Sequence, residues 1–344
     1  MKPTTFFMSI LTAIFVSFSM CGISLAAPVI KLSYSTVFPP THVHAKLGQA
    51  WVDEIEKRTD GRVKISFYPG GSLLKGDKVY SGVEVGIADI GMSVFVYNRG
   101  MFPAMEVVDL PLGFTSGKMG TTVINEIYKE FPPKKLDKEV KVLYLHAHGP
   151  GLLHCKKPVR SIDDFKGFKI RGQGATARII SALGAAPVAM PQSDSYEALQ
   201  KGVVDGNFSP MEVLKGWRQA EVIGYTTECY SIGYSSTFYL IMNKNRWTAL
   251  PADIQKVFTD VDAEWAQKHA EAWDTVDQEG RSYTLSKGNE IISLSDEENL
   301  RWKEAVKPVI KEYIQEANDK GLPGDLYIKK ALELIEAYKQ KFDR

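Results

Sequence analysis

Alternating and amphipathic spacing of apolar positions divides the chain after residue 28 into short strands and helices. Val29 to Ser35 (VIKLSYS) alternates and predicts a first strand. Thr41 can cap a helix to about Arg58, and Asp60-Gly61 turns into a second strand, Val63 to Tyr68, broken by Pro69-Gly70-Gly71. Asp77 to Gly86 predicts a helix, Ala88 to Gly91 a strand, Lys118 to Glu130 a helix and Val140 to His148 another strand. Gly149-Pro150-Gly151 reads as a hinge. Beyond it, Phe168 to Arg171 alternates, with Phe168 and Ile170 on one face and Lys169 and Arg171 on the other. Ala175 to Leu183 is helical and closed by Gly184, and Pro187 to Met190 predicts a strand. Asp194 and Glu197 have capping-box spacing for the helix ending at Gly202. Val203 to Gly206 predicts a strand and turn, and Ser209-Pro210-Met211-Glu212 a second box. Ser235 to Asn243 is a strand-like return. Pro251 opens a long helix, Ala252 to about Ser286, followed by a strand at Asn289 to Leu294 and helical pattern, capped by Asp296, to the end.

Such alternation predicts an α/β fold with two lobes, a parallel-rich sheet in each, and strand-end loops gathered on one cleft. Residues 28–149 and about 240–344 form the expected lobe I, with a bracing helix at about 251–286; residues 150–239 form lobe II. Arg171 ends a strand at the cleft. Asn207 to Ser209 follow another strand, beside a helix N-terminus with free N–H groups. Phe38 and the loop from Met92 to Phe95 face the same cleft. A guanidinium has a rigid donor fork that grips a carboxylate bidentately.

The N-terminus changes the picture. Lys2, the mostly apolar Phe6 to Phe18, and Ser24-Leu25-Ala26 read as a secretory signal over residues 1–27, cut after Ala26 or Ala27. Cys21 leaves a lipoprotein as the alternative. Export places Cys155 and Cys229 in an oxidising compartment, where a bridge would be worth about 4 kcal/mol in the chain-entropy model. Two buried thiols are the other reading. Charge is balanced, 42 Lys+Arg against 41 Asp+Glu, so no basic excess marks nucleic acid as a partner.

Several chemistries were weighed against the residues. Gly172 to Ala177 matches G-x-G-x-x-A, but its strand carries Lys169 and Arg171 instead of a buried apolar run. His146, His148 and His154 lack a carboxylate or cysteine at a spacing that would complete a metal site. Tyr196, Trp217, Tyr230 and Tyr234 are aromatic candidates for stacking on a ligand. No metal and no cofactor is expected.

The runs KPVRSIDDFKGFKIRG and ALGAAPVAMPQSDSYEALQKGVVDGNFSP, with YPGGSLLKGDKVYSGVEVGIADIGM and VVDLPLGF, resemble the solute-binding proteins of TRAP (tripartite ATP-independent periplasmic) transporters. The resemblance implies a two-lobed periplasmic receptor, with Arg171 gripping the ligand's carboxylate. The family's second polar contact falls on Ser209, with Asn207 two residues earlier. The expected ligand set is Arg171, Asn207, Phe208, Ser209, Phe38, Ser93, Phe95 and Tyr234. Neither Gly149 to Leu153 nor Met92 to Phe95 carries a charge, which points to a monocarboxylate with an apolar or aromatic body. The resemblance also implies a monomer that closes on a small organic acid and delivers it to membrane permease subunits. An exported enzyme would need a base, for which His42, His146 and Asp205 are the candidates; a receptor feeding a sensor is a further alternative.

Overall fold

The computed structural model describes residues 28–342. The first half runs β1 (Ile30–Thr36), α1 (Val43–Arg58), β2 (Val63–Tyr68), α2 (Val79–Glu84), β3 (Ile90–Val94), α3 (Gly117–Glu130), α4 (Lys134–Glu139) and β4 (Val140–Ala147). Then come β5 (Leu152–Cys155), β6 (Lys169–Arg171), α5 (Ala175–Ala182), β7 (Ala186–Val188), α6 (Gln192–Gln200), β8 (Gly206–Ser209), α7 (Val213–Gly216) and β9 (Tyr225–Glu228). The chain ends with β10 (Thr237–Asn243), α8 (Lys244–Thr248), α9 (Ala252–Ser286), β11 (Glu290–Ser293), α10 (Asp296–Asp319) and α11 (Gly324–Phe342).

Two sheets result, ordered β2-β1-β3-β10-β4 and β11-β9-β5-β8-β6-β7. Both are mixed. The βαβ units pair in parallel, as alternation requires, but β10 runs antiparallel between β3 and β4, and β5 antiparallel between β8 and β9. These antiparallel strands stand next to the crossings between the sheets, after β4 and before β10. The predicted strand at Val203 lies three residues further on, as β8. Strands β5 and β9 had no periodic signal: all four residues of β5 are buried, so neither face is polar. The chain after residue 240 does not stay wholly with the first sheet, because β11 pairs with β9 in the second.

Four capping expectations are corrected. The cap of α1 is His42, whose side chain accepts from the His44 N–H. Pro191 precedes α6, so Asp194 and Glu197 form no box. Glu212 occupies the α7 N-cap position without capping it, its carboxylate being engaged elsewhere. Ser295, not Asp296, caps α10.

Helix α9 braces the molecule. Its 35 residues make a rod about 50 Å long. Ile254, Phe258, Val261, Trp265 and His269 are buried along its first half, a 3–4 spacing that lays one stripe on α1 and β4. Further on, a Cβ at Gly280 would meet the Met211 carbonyl oxygen at 2.2 Å. Only glycine lets α9 come this close to the segment after β8. The last two helices divide their contacts: α10 packs on α5 and α11 on α3.

Candidate functional site

A cavity of about 110 Å³, partly open to solvent, lies between the two sheets. Arg171 reaches it from the end of β6, where the alternation of the strand turns the side chain inward. It is 8% exposed. Its Nε donates to the Met190 carbonyl at 3.1 Å and its Nη1 to Ser209 Oγ at 3.5 Å. Neither partner is charged, and among the described residues no carboxylate lies within 4 Å of the guanidinium. A buried cation without a counter-charge is costly, so the cavity is prepared for an anion.

The neighbouring side chains fix what Arg171 meets. Asn207 is fully buried and donates to Gln219 Oε1 at 2.8 Å. Its own Oδ1 accepts the Ser209 hydroxyl at 2.9 Å. The Ser209 proton is therefore used, and its lone pairs are left for Arg171. Ser209 lines the cavity while Asn207 stands behind it. Below them His154 Nε2 donates to the Ser209 carbonyl at 3.0 Å; burial lowers this imidazole to about 4.

The opposite wall is apolar. Phe38 stacks on Phe238 with ring centroids 5.4 Å apart, and Trp273 of α9 lies 5.2 Å from Phe238. Val94, Val96 and Tyr97 complete it. His148 sits where the lobes meet, its ring edge-on to Tyr234 at 5.5 Å. Burial holds this imidazole down to about 4; Arg171 lowers it further against a hydrogen bond to Gly149 that opposes the shift.

The lobes are closed on one another. His42 accepts the His44 N–H on Nδ1, so its proton is on Nε2, donated to Glu212 at 3.0 Å. The Gln192 N–H donates to the Tyr97 hydroxyl at 3.1 Å. Gly174, with φ at +55°, lies so near Val96 that a Cβ there would stand 2.6 Å from Cγ2. Asp277 on α9 accepts the Glu212 N–H at 2.8 Å; burial raises its carboxyl well above the usual range, against the pull of that hydrogen bond.

Of the expected ligand set, Arg171, Ser209, Phe38 and Tyr234 line one cavity. Asn207, Phe208, Ser93 and Phe95 do not. Phe208 is core, and its carbonyl accepts the Tyr234 hydroxyl at 2.8 Å. Ser93 donates to the Gly76 carbonyl at 2.9 Å, and Phe95 packs on Tyr239 at 4.8 Å. For Ser93 the period of two explains it, because its β3 neighbour Val94 takes the cleft face; the strand ends there, and Phe95–Asn98 form a 3-10 turn that carries Val96 and Tyr97 to the cavity and Phe95 to the core. Of the candidate bases, His42 is occupied by Glu212. His146 accepts from Trp273 Nε1 at 2.9 Å inside a histidine stack, and Asp205 accepts the Lys169 N–H at 2.8 Å. Cys155 and Cys229 are free, buried thiols, the second of the two readings left open by the sequence, and burial pushes Cys229 up to about 12.

Sequence reasoning read Glu212 as part of a capping box and gave no role to Gln192, Trp273 or Phe238. Of this wall the sequence placed Phe38, and the alternation of β3 could have placed Val94.

The model of the bacterial extracellular solute-binding proteins, family 7 (DctP), matches residues 34–316. The C4-dicarboxylate-binding periplasmic protein DctP of Rhodobacter capsulatus is 27% identical over 300 residues, covering 83% of this chain and 86% of that one. A TRAP periplasmic solute-binding protein of Desulfovibrio salexigens, crystallised as an open complex, is 37% identical with a TM-score of 0.79, covering 90% and 97%. A TRAP solute-binding protein of Rhodoferax ferrireducens with copurified benzoate is 27% identical with a TM-score of 0.84, covering 91% and 99%. With the paired sheets and the Arg171 cavity between them, this places the chain in family 7 of the bacterial extracellular solute-binding proteins, the receptors of TRAP transporters.

Proposed function

We propose that the protein captures a small monocarboxylic acid with an aromatic or apolar body and hands it to membrane permease subunits. One observation carries this reading: a buried guanidinium without a counter-charge, opening on a cavity whose far wall is aromatic. Arg171 provides the anchor. Closure removes water and strengthens that contact, because the charges then interact in a lower dielectric. Glu212 lines the same cavity and weighs against a second carboxylate on the ligand. Lys75 also lines it but is exposed at the rim. The benzoate in the Rhodoferax protein supports an aromatic body; the dicarboxylate named for the Rhodobacter relative is the competing case.

On this reading the crossings near residues 149–151 and 234–236 are the hinge. The leader is removed near Ala26 or Ala27, a stretch outside the described residues, and the receptor works as a monomer. Mass spectrometry of the small molecule that copurifies with the protein, followed by a thermal-shift panel of mono- and dicarboxylates, tests the proposal. A monocarboxylate at about 100 times its Kd adds about 2.7 kcal/mol of stability. Stabilisation by dicarboxylates alone, or by no acid at all, would refute it.

A further inference from the structure

We propose that His148 reads a hydrogen-bond donor on the carbon next to the ligand's carboxylate, so that the acid taken is a 2-hydroxy acid. This rests on Arg171 being the carboxylate anchor.

The proton on His148 can be assigned. Nδ1 faces the Gly149 carbonyl, which can only accept, so Nδ1 carries hydrogen. The ring is buried beside a permanent cation and stays neutral. Nε2 is then a bare lone pair. It has no hydrogen-bond partner among the described residues, and it is not among the buried polar atoms sealed from the cavity that His148 lines. It can take a donor and cannot supply one.

Its position sets where on the ligand that donor must be. Tyr234 lies edge-on to His148 and bonds the Phe208 carbonyl. The next residue, Ser209, accepts from Arg171. Tyr234 thus touches both the imidazole and the strand that carries Ser209, the Arg171 charge is felt at His148, and both groups line the same cavity. Two other hydroxyl protons at this end are used, Ser209 giving its own to Asn207 and Ser236 its own to Asp109, and the Thr176 hydroxyl stands beside Tyr234. A carboxylate on Arg171 therefore presents its 2-substituent to an acceptor.

A 2-hydroxyl satisfies that acceptor. A 2-oxo oxygen sets lone pair against lone pair, and a 2-methylene leaves the nitrogen unpaired and dry, each of which costs affinity. A 2-ammonium would bring a second positive charge beside Arg171, and His42 already holds one oxygen of the Glu212 carboxylate.

Matched triples test the assignment: mandelate, phenylglyoxylate and phenylacetate, and lactate, pyruvate and propionate. Affinities are measured by calorimetry for the parent protein, His148→Phe and His148→Gln, with thermal unfolding of each unliganded variant to establish folding. The expected result is tenfold or greater preference for the hydroxy member of at least one triple in the parent. That preference falls to near unity in His148→Phe and returns in part in His148→Gln, whose amide oxygen can accept. Equal binding of hydroxy and oxo members by the parent, or a preference unchanged in His148→Phe, overturns the role of His148 and leaves the carboxylate reading intact. Binding of none of the six acids overturns both.

Discussion

The two walls of the cavity are built from opposite materials. The second sheet contributes a buried cation and the groups that orient it: Arg171, Ser209 and, behind them, Asn207 and Gln219. The first sheet and α9 contribute rings and branched aliphatics, Phe38, Phe238, Trp273, Val94 and Val96. The buried charge sits on one lobe, with Lys75 exposed at the rim of the other, and the stacked rings that exclude water sit mainly on the lobe opposite Arg171. An acid can therefore dock on the cationic lobe while the cleft is open, and the apolar lobe adds its contribution only on closure. The same division appears beneath the walls. Behind the apolar one, His44, His146 and His269 stack face to face, with centroids 4.3–5.6 Å apart. Burial lowers all three. Neutral imidazoles serve there as polar, hydrogen-bonded core.

The sharpest way to break this division is Arg171→Ala. If the cationic wall is the anchor, calorimetry with the best-binding acid should show a loss of about 2–5 kcal/mol, roughly 30-fold to several thousand-fold in Kd. Undiminished binding would end the assignment. Gly174→Ala tests the meeting of the walls instead. The new methyl cannot fit against Val96, and its backbone is in the left-handed region, a strain of about 1–3 kcal/mol. Affinity should fall about tenfold although no ligand contact is touched, and Val96→Ala in the same protein should restore part of it.

Asp262 probes the core of the apolar side. It accepts from Trp51 Nε1 at 3.0 Å, and burial raises its carboxyl from 3.8 to about 8. A raised folded value means its stabilisation is complete below about pH 4 and is lost as pH climbs towards 8. Asn cannot titrate, so Asp262→Asn should gain on the parent by about 1.4 kcal/mol per pH unit across that window. Urea midpoints of both proteins at pH 5, 6 and 7 measure it; a constant difference would show that Asp262 is ionised throughout. The smallest effect is expected from reductant. With Cys155 and Cys229 as free thiols, dithiothreitol should leave the melting temperature within about 1 °C. The denatured, processed protein should give two reactive thiols without it.

Some of this was legible in the residues. The βαβ rhythm, the helix from Ala252 to Ser286, and Arg171 at the inward end of its strand all follow from local periodicity, which one chain segment carries alone. Strand β5 was not legible, because a strand buried on both faces has no alternation. The caps failed for a related reason. Ser209 and Glu212 have the spacing of a box, but Asn207, two residues earlier on the same strand, takes the Ser209 hydroxyl, and the distant His42 holds Glu212.

What the chain determined by itself was most of the element order, without β5 and β9, the two-lobed α/β plan and the cation at its centre, since each depends on neighbours within a few positions. Only the folded molecule decided that β10 and β5 would run antiparallel, that Glu212 would face His42 from 170 residues away, and that Trp273 would line a cavity. Those depend on which surfaces meet when the lobes close, and packing between distant segments leaves no periodic trace in either of them.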